Sequence, residues 1–324
     1  MIGLFVFLLG SGLEALALSS DGKWLAVAGR NRAVYVLDSA TLEVRQRHGV
    51  GAAVRNLAFT PDAAQIVVED NRATLRRLER GSGKQLATLE DARGLTVHPS
   101  GKLALVYGET VRLIQLADFR IVATMETSER PAALAFDANG KQIFVLEQGQ
   151  FTEDEKRLPA AEIPEKLHGL EREEFRQRHD GRVCLLRSYD LEGKEQRRRR
   201  LWYTSDTDST TLIPRGEEML ILNRSNIVAR LDATGAITLY RLDVPVVHAR
   251  AASPDGSRVA LGLRGRVRLL SDKVQELSLE ELPDEAEFVT RLLVRPEGSV
   301  YGVTSAYRAF AISRLGKVRV VPVF

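Results

Sequence analysis

The stretch SPDGSRVALG, Ser253–Gly262, is a tight turn followed by an apolar run, and the chain keeps repeating it. SSDGKWLAVA starts at Ser19, TPDAAQIVVE at Thr60, HPSGKLALVY at His98 and DANGKQIFVL at Asp137. IPRGEEMLIL starts at Ile213 and RPEGSVYGVT at Arg295. The fourth turn residues are Gly22, Ala63, Gly101, Gly140, Gly216, Gly256 and Gly298, at intervals of 41, 38, 39, 76, 40 and 42. Five intervals lie near 40, and the interval of 76 is one repeat carrying an insertion. A fixed period in this range marks a repeat architecture and outranks any local reading.

Each unit reads as β-structure. An apolar segment precedes the turn (VRNLAFT, PAALAFD) and a second follows it (QIVVED, QIFVLEQ). A third comes after a short break (AVYVLDS, RVRLLSD), and a more polar fourth closes the unit (TLEVRQRH, KQLATLE). Short runs of Val, Ile and Leu between Gly, Pro and Asp turns are strands. Pro presets φ, Asp bonds back to nearby backbone and Gly takes positive φ freely, so the repeated turn is a hairpin corner. A second corner recurs between the third and fourth segments: ERGSGK at Glu79, LEGK at Leu191, DATGA at Asp232 and RLGK at Arg314. RGSGK lacks the spacing of a phosphate-binding loop. Four antiparallel strands repeated seven times predict an all-β, seven-bladed β-propeller, because sheets apolar on both faces bury them by closing radially. The predicted blades span about residues 11–50, 51–91, 92–128, 129–204, 205–245, 246–286 and 287–324 of a single domain.

Over about residues 11–324 the chain resembles the WD40-like and YVTN-like propellers. The resemblance rests on the Ser-Pro-Asp-Gly-like turns and on the third-strand ends Leu37-Asp38, Tyr189-Asp190 and Leu231-Asp232, where that family often has Trp-Asp. Arg47-His48-Gly49 stands where the family often has Gly-His. True Trp-Asp pairs are missing, and with them the basis for the family's buried hydrogen-bond network. Such propellers host many activities, so the resemblance speaks to fold.

At 44% hydrophobic and 27% charged residues the composition is that of a soluble globular protein. A formal net charge of +3 is too small to argue for nucleic acid by itself. Nine of the 46 basic residues are Lys and the rest are Arg. The single cysteine, Cys184 in VCLL, excludes an intramolecular disulfide and reads as a small buried hydrophobe. It fits a reducing compartment, and the expected location is cytoplasmic. The start, MIGLFVFLLGSGLEALA, lacks a basic leader and carries Glu14. Its apolar stretch of nine residues falls short of the ~20 needed for a membrane span. Residues 1–10 are read as an extra N-terminal strand, with an export signal or anchor as the alternative.

No catalytic constellation emerges. His48, His98, His168, His179 and His248 share no metal-ligand spacing, and DTDSTT at 206–211 lacks a calcium-loop pattern. No Gly-x-Ser-x-Gly elbow is present. Two tryptophans cannot supply the repeated signature of quinone-cofactor propellers. The expectation is no enzyme, no cofactor and no metal.

Two features stand above background. The first is the insertion at 150–181 in the fourth unit, QFTEDEKRLPAAEIPEKLHGLEREEFRQRHDG, with nine acidic and six basic residues. Thr152 and Glu155 form a capping box, and Ile163, Leu167 and Leu170 share a helical face, so short helical pieces are predicted. They fold either onto their own propeller or onto another protein. The second is arginine in the loops between second and third strands: Arg30, Arg32, Arg72, Arg224, Arg264, Arg266 and Arg308. These loops emerge on one face, and the insertion leaves from it. The arginines either pair with acids on adjacent loops or read carboxylate or phosphate on a partner. Arg197, Arg198, Arg199 and Arg200, in EQRRRRLWYT, are placed on the outermost strand of the fourth blade. There they guard an edge or meet an acidic partner. Trp202 and Tyr203 beside them are core residues or, for nucleic acid, stacking platforms.

The function expected is a non-catalytic scaffold or adaptor subunit binding one or more proteins with acidic surfaces. A propeller lactonase or hydrolase acting at the central channel is the second reading. It requires a polar cluster with perturbed pKa values at the channel mouth. A nucleic-acid-associated protein is the third. It requires the arginine loops and the Arg197 run to form one connected patch.

Overall fold

A computed structural model describes residues 12–127, 130–147, 150–151, 164–168, 171, 182–201, 210–222, 227–244, 246–271 and 273–323. The repeated turn builds itself from its own side chains. In the sixth unit the Ser253 hydroxyl donates to Asp255 Oδ1 at 2.5 Å and accepts from the Arg258 amide at 3.0 Å. The Gly256 amide closes the turn on the Ser253 carbonyl at 2.8 Å. Ser19–Asp21 and Thr60–Asp62 repeat the pattern at 2.6 Å each. The fourth turn residue has left-handed backbone in every unit, from φ 55° at Ala63 to 96° at Gly298. That requirement explains glycine in six of the seven turns.

Each turn joins the first two strands of a four-stranded antiparallel blade, and seven such sheets form the ring. The blades are Leu13–Leu18, Trp24–Gly29, Ala33–Asp38 and Val44–Gly49; Val54–Phe59, Gln65–Asp70, Leu75–Glu79 and Gln85–Leu89; Arg93–Val97, Leu103–Tyr107, Val111–Gln115 and Ile121–Met125. The fourth blade is Pro131–Phe136, Ile143–Glu147, Arg182–Tyr189 and Glu195–Leu201. The last three are Thr211–Arg215, Glu218–Leu222, Ile227–Leu231 and Ile237–Arg241; Ala249–Ala252, Arg258–Gly262, Arg266–Ser271 and Glu276–Glu281; Val289–Val294, Val300–Thr304, Arg308–Ile312 and Val318–Pro322. In the fourth blade a two-residue strand, Gln150–Phe151, also pairs with Arg182–Val183, so the insertion leaves as an extension of the third strand's hairpin.

The core is divided among the blade boundaries, and strand periodicity is the cause. Successive residues of a strand face opposite neighbours. In the second strand of blade 1, Ala26 and Ala28 pack against Val54, Leu57 and Ile66 of blade 2. Leu25 and Val27 turn the other way, onto Tyr301 and Val303 of blade 7. The remaining boundaries carry equivalent apolar clusters. Cys184 is buried in the one between blades 4 and 5, as the sequence predicts. Gly302 admits the ring of fully buried Phe310 across the sheet, where an added Cβ would lie 2.1 Å from Phe310 Cζ.

The ring closes by packing between complete blades. Blade 7 takes its fourth strand, Val318–Pro322, from its own unit, and blade 1 takes all four from residues 13–49. Thr290 Oγ1 of blade 7 donates to the Leu13 carbonyl of blade 1, and Arg319 reaches the Ala40 carbonyl. The predicted strand at residues 1–10 lies outside the described residues, as do most of the helical pieces predicted at 150–181. Within that insertion, the Leu167 amide closes a single turn on the Pro164 carbonyl at 3.0 Å.

The Trp-Asp-like positions serve turns. Asp38 Oδ1 accepts from the Ala40 and Thr41 amides at 3.0 and 2.9 Å. His48 Nε2 bonds the Arg80 carbonyl at 2.7 Å, tying blade 1 to blade 2.

Candidate functional site

Alternating strand direction puts the loops between second and third strands on the same face as the starts of the first strands. The Arg30 amide shows this by bonding the Gly12 carbonyl at 3.2 Å, as the Asn71 amide does with Ala53 at 2.9 Å. On this face, at the boundary of blades 1 and 2, lies a cleft of about 270 Å³. Its walls are Arg30, Arg32, Gly51, Ala52, Ala53, Arg55, Asn71 and Arg72, so four guanidiniums and no carboxylate line it.

Two β-bulges help to build this corner. The first strands of blades 1 and 2 slip register between Leu13 and Ala15 and between Val54 and Asn56. A bulge re-aims the side chain it leaves unpaired, here Glu14 and Arg55. Glu14 then bridges two arginines, at 2.6 Å to Arg30 Nε and 2.7 Å to Arg55 Nη1. Asp70, buried behind the cleft, accepts from the Arg72 amide at 2.8 Å and from Arg76 Nη2 at 2.9 Å. Arg32 and Arg72 form no ion pair among the described residues.

A polar network runs beside this cleft at the channel mouth. Glu69 is 5% exposed. Its carboxylate accepts from the Gly94 and Leu95 amides at 3.0 and 2.8 Å and from Asn56 Nδ2 at 2.6 Å. Those amides are free because the first strand of blade 3 slips register there. Arg291 of blade 7 donates to Asn56 Oδ1. Removal from water lowers the affinity of Arg291 for its proton, against the pull of Glu69 and Glu14; an arginine stays charged regardless. The two carboxylates of this network, Glu14 and Glu69, are engaged by amides, Asn56 and guanidiniums.

Of the other arginines expected in these loops, Arg266 and Arg308 open the third strands of blades 6 and 7, and their surroundings differ. Arg308 pairs with Glu287, itself 5% exposed, at 2.7 Å and with Asp284 at 3.8 Å. Arg266 meets Glu281 at 3.5 Å. Arg264 lies 5.4 Å over the Phe288 ring, which also stacks on His248. Arg308 and Arg266 are the acid-paired case that the sequence left open, and Arg264 packs on an aromatic ring instead. Arg224, Ile163 and Leu170 lie outside the described residues, and Leu167 is half-buried in its turn.

Arg197 to Arg200 do lie on the outermost strand of blade 4. Arg197 is exposed, and Arg198 pairs with Glu195 at 3.0 Å. Arg199 donates to the Asp232 and Ala233 carbonyls at 3.1 and 2.9 Å. Those carbonyls belong to a turn between third and fourth strands, which sits on the opposite face from the arginine cleft. The connected patch required by the nucleic-acid reading is not formed between these two sites.

Sequence reasoning missed Arg55, Glu14, Asn56, Glu69 and Arg291 as members of this site. The available signal was polar residues interrupting apolar strands, as in LEALAL, VRNLAF and VTRLLV. Among the described residues no three His, Cys, Asp or Glu side chains converge as metal ligands. No helix among them is long and apolar enough to cross a membrane.

No protein-family model matches the chain. Over 82 residues it is 38% identical to an uncharacterized WD repeat-containing protein of Synechocystis sp., a match covering 25% of this chain and 24% of that relative. Along its whole length it is similar to a chain of hydrazine synthase from Kuenenia stuttgartiensis, with a TM-score of 0.68 and 14% identity, covering 100% of this chain and 99% of that one. At that identity the likeness is one of fold. The turn repeat and the sheet topology make the chain a seven-bladed β-propeller, and the short match to a WD repeat-containing protein agrees with its WD40-like turns.

Proposed function

We propose that the protein is a non-catalytic interaction scaffold, a subunit that holds one or more acidic protein partners on its arginine-bearing face. The observation that carries this reading is the cleft lined by Arg30, Arg32, Arg55 and Arg72 with no carboxylate in its walls. Arginine reads planar oxyanions bidentately and is favoured at protein interfaces. A ring whose blades lock pairwise presents such loops rigidly, which lowers the ordering cost of binding. The insertion at 150–181 departs from the same face and supplies a second contact. The reading places the scaffold in the cytoplasm, in line with its one, unbridged cysteine. Glu14 and Glu69 position their neighbours and perform no proton transfer.

The test is affinity capture from host lysate with three baits: wild type, the Arg32→Ala/Arg72→Ala variant, and a chain lacking residues 152–180. A defined protein held by wild type and lost from the arginine variant, with unchanged melting temperature, supports the reading. Equal retention by wild type and the arginine variant refutes docking at the cleft. Retention of nothing by wild type refutes the scaffold itself.

A further inference from the structure

The cleft between blades 1 and 2 has a charge that a carboxylate does not match. Four guanidiniums line it, and among the described residues Glu14 is the one carboxylate that pairs with any of them. Asp70 is already committed to Arg76. The corner therefore keeps three positive charges. An aspartate or glutamate from a partner neutralises one. A phosphate monoester carries about −1.5 to −2 at neutral pH and three strong acceptor oxygens.

Size points the same way. A volume of about 270 Å³ lies just under the roughly 300–1,000 Å³ usual for drug-sized ligands, so one anionic headgroup fills it better than an extended molecule. The place of Arg32 in its turn adds to this. Arg32 sits at φ 58°, in the left-handed region where glycine is cheapest. Its side chain is exposed and makes no ion pair among the described residues. Stability alone gives no reason for an arginine there.

We propose that this cleft is an oxyanion site for a phosphate-type dianion, delivered as a phosphorylated side chain of the docked partner. The proposal rests on the scaffold reading and sharpens it. Arg32 and Arg72 supply the unpaired charge, while Arg30 and Arg55, oriented by Glu14, complete the lining.

The experiment titrates the full chain near 0.15 M salt with four probes: inorganic phosphate, the peptide Gly-Gly-phosphoserine-Gly-Gly, the same peptide with Asp, and a single-stranded DNA decamer. The variants are Arg32→Gly, which removes the charge and relaxes the backbone, Arg72→Ala, and Arg266→Ala as a control on the same face. Charge-assisted bonds of this kind predict a loss of about tenfold or more in phosphopeptide affinity for each cleft variant, and no change for the control. The phosphopeptide is expected to exceed the Asp peptide by about tenfold. It is also expected to bind more tightly than inorganic phosphate and to be displaced by it.

Equal binding of the Asp and phosphoserine peptides overturns the dianion assignment. Equal affinity for phosphate and phosphopeptide overturns the protein-borne source in favour of a free phosphate ester. Tighter binding of DNA, weakened by substitution at Arg197–Arg200, overturns both. Phosphopeptide affinity unchanged in Arg32→Gly and Arg72→Ala overturns the location. Lysate capture lost in the arginine variant without phosphopeptide binding sinks this proposal and leaves the scaffold standing.

Discussion

Glu69 is the residue whose removal tests the architecture of the channel mouth most sharply. It stands in the second strand of blade 2, yet its carboxylate accepts two amides from blade 3, at Gly94 and Leu95, and one side-chain donor, Asn56. Asn56 in turn receives Arg291 from blade 7. One buried carboxylate thus ties blade 2 to blade 3 directly and to blade 7 through Asn56. Glu69→Gln keeps the shape but turns one acceptor oxygen into an NH2 that must face a donor. The loss is one charge-assisted bond, ~1.5–3 kcal/mol, so we expect a cost of about 2 kcal/mol. Glu69→Ala strands all three donors and leaves Arg291 without its nearest compensation, for about 3–5 kcal/mol. At roughly 2 °C per kcal/mol for a chain of this size, calorimetry should find melting lowered by about 4 °C and 6–10 °C. Hydrogen exchange gives the local readout, since the Gly94 and Leu95 amides should lose protection in both variants. Glu43→Gln, in an exposed pair with Arg45, is the control. Melting of Glu69→Gln within 1 °C of that control, with Gly94 and Leu95 still protected, would refute the reasoning.

Three further outcomes are expected. Gly216→Ala, at φ 63° with open space around it, isolates the left-handed penalty and should cost about 1 kcal/mol in denaturant unfolding. Gly302→Ala should cost about 3 kcal/mol because its methyl meets the buried Phe310 ring; pairing it with Phe310→Leu should cost less than the sum of the single changes. Asp62 and Asp255 are held below the usual carboxylate range, first by the Thr60 and Ser253 hydroxyls and then by backbone amides. Because their folded pKa is the lower one, their contribution is complete above about pH 4 and is lost as pH falls from there toward the folded value. Melting curves of Asp62→Asn/Asp255→Asn should therefore converge on wild type as pH drops from 5 to about 3, and a constant gap would contradict this assignment.

The fold was legible because each unit restates it locally. The Ser-Asp hydroxyl–carboxylate bond and the left-handed fourth residue are decided within six residues, and the near-continuous apolar runs of the inner strands state that both faces are buried. Ala63 shows how tightly the turn is held, since it adopts φ 55° without a glycine. The shared face of the arginine loops followed from counting strand directions. The Glu14–Arg55 and Asn56–Arg291 contacts were not legible. They join residues 41 and 235 positions apart. They also depend on bulges and on how the ring closes, neither of which leaves a mark in a single repeat. Glu69 is a polar residue closing the apolar run QIVVED, and only the neighbouring blade's bulge reveals what it holds.

Ring symmetry offers an internal comparison that separates structural from functional arginine. The connection between second and third strands recurs on one face, with arginines in the turn or opening the third strand, while the neighbours change. At blades 6 and 7, Arg266 and Arg308 meet Glu281, Asp284 and Glu287, and Arg264 stacks on Phe288. At blades 1 and 2, Arg32 and Arg72 meet further arginines. Like charges gathered on a surface destabilise the folded state and are relieved by binding an anion. The two sectors should therefore respond oppositely to substitution. Arg308→Ala leaves Glu287 buried without its partner and should lower stability by about 3 kcal/mol. Arg32→Gly and Arg72→Ala relieve repulsion and should leave melting unchanged or raised in dilute buffer, with the difference shrinking as salt is added. If Arg32→Gly and Arg72→Ala instead melt well below wild type at every salt concentration, these arginines stabilise the ring, and the reason for reading their cleft as a binding site disappears.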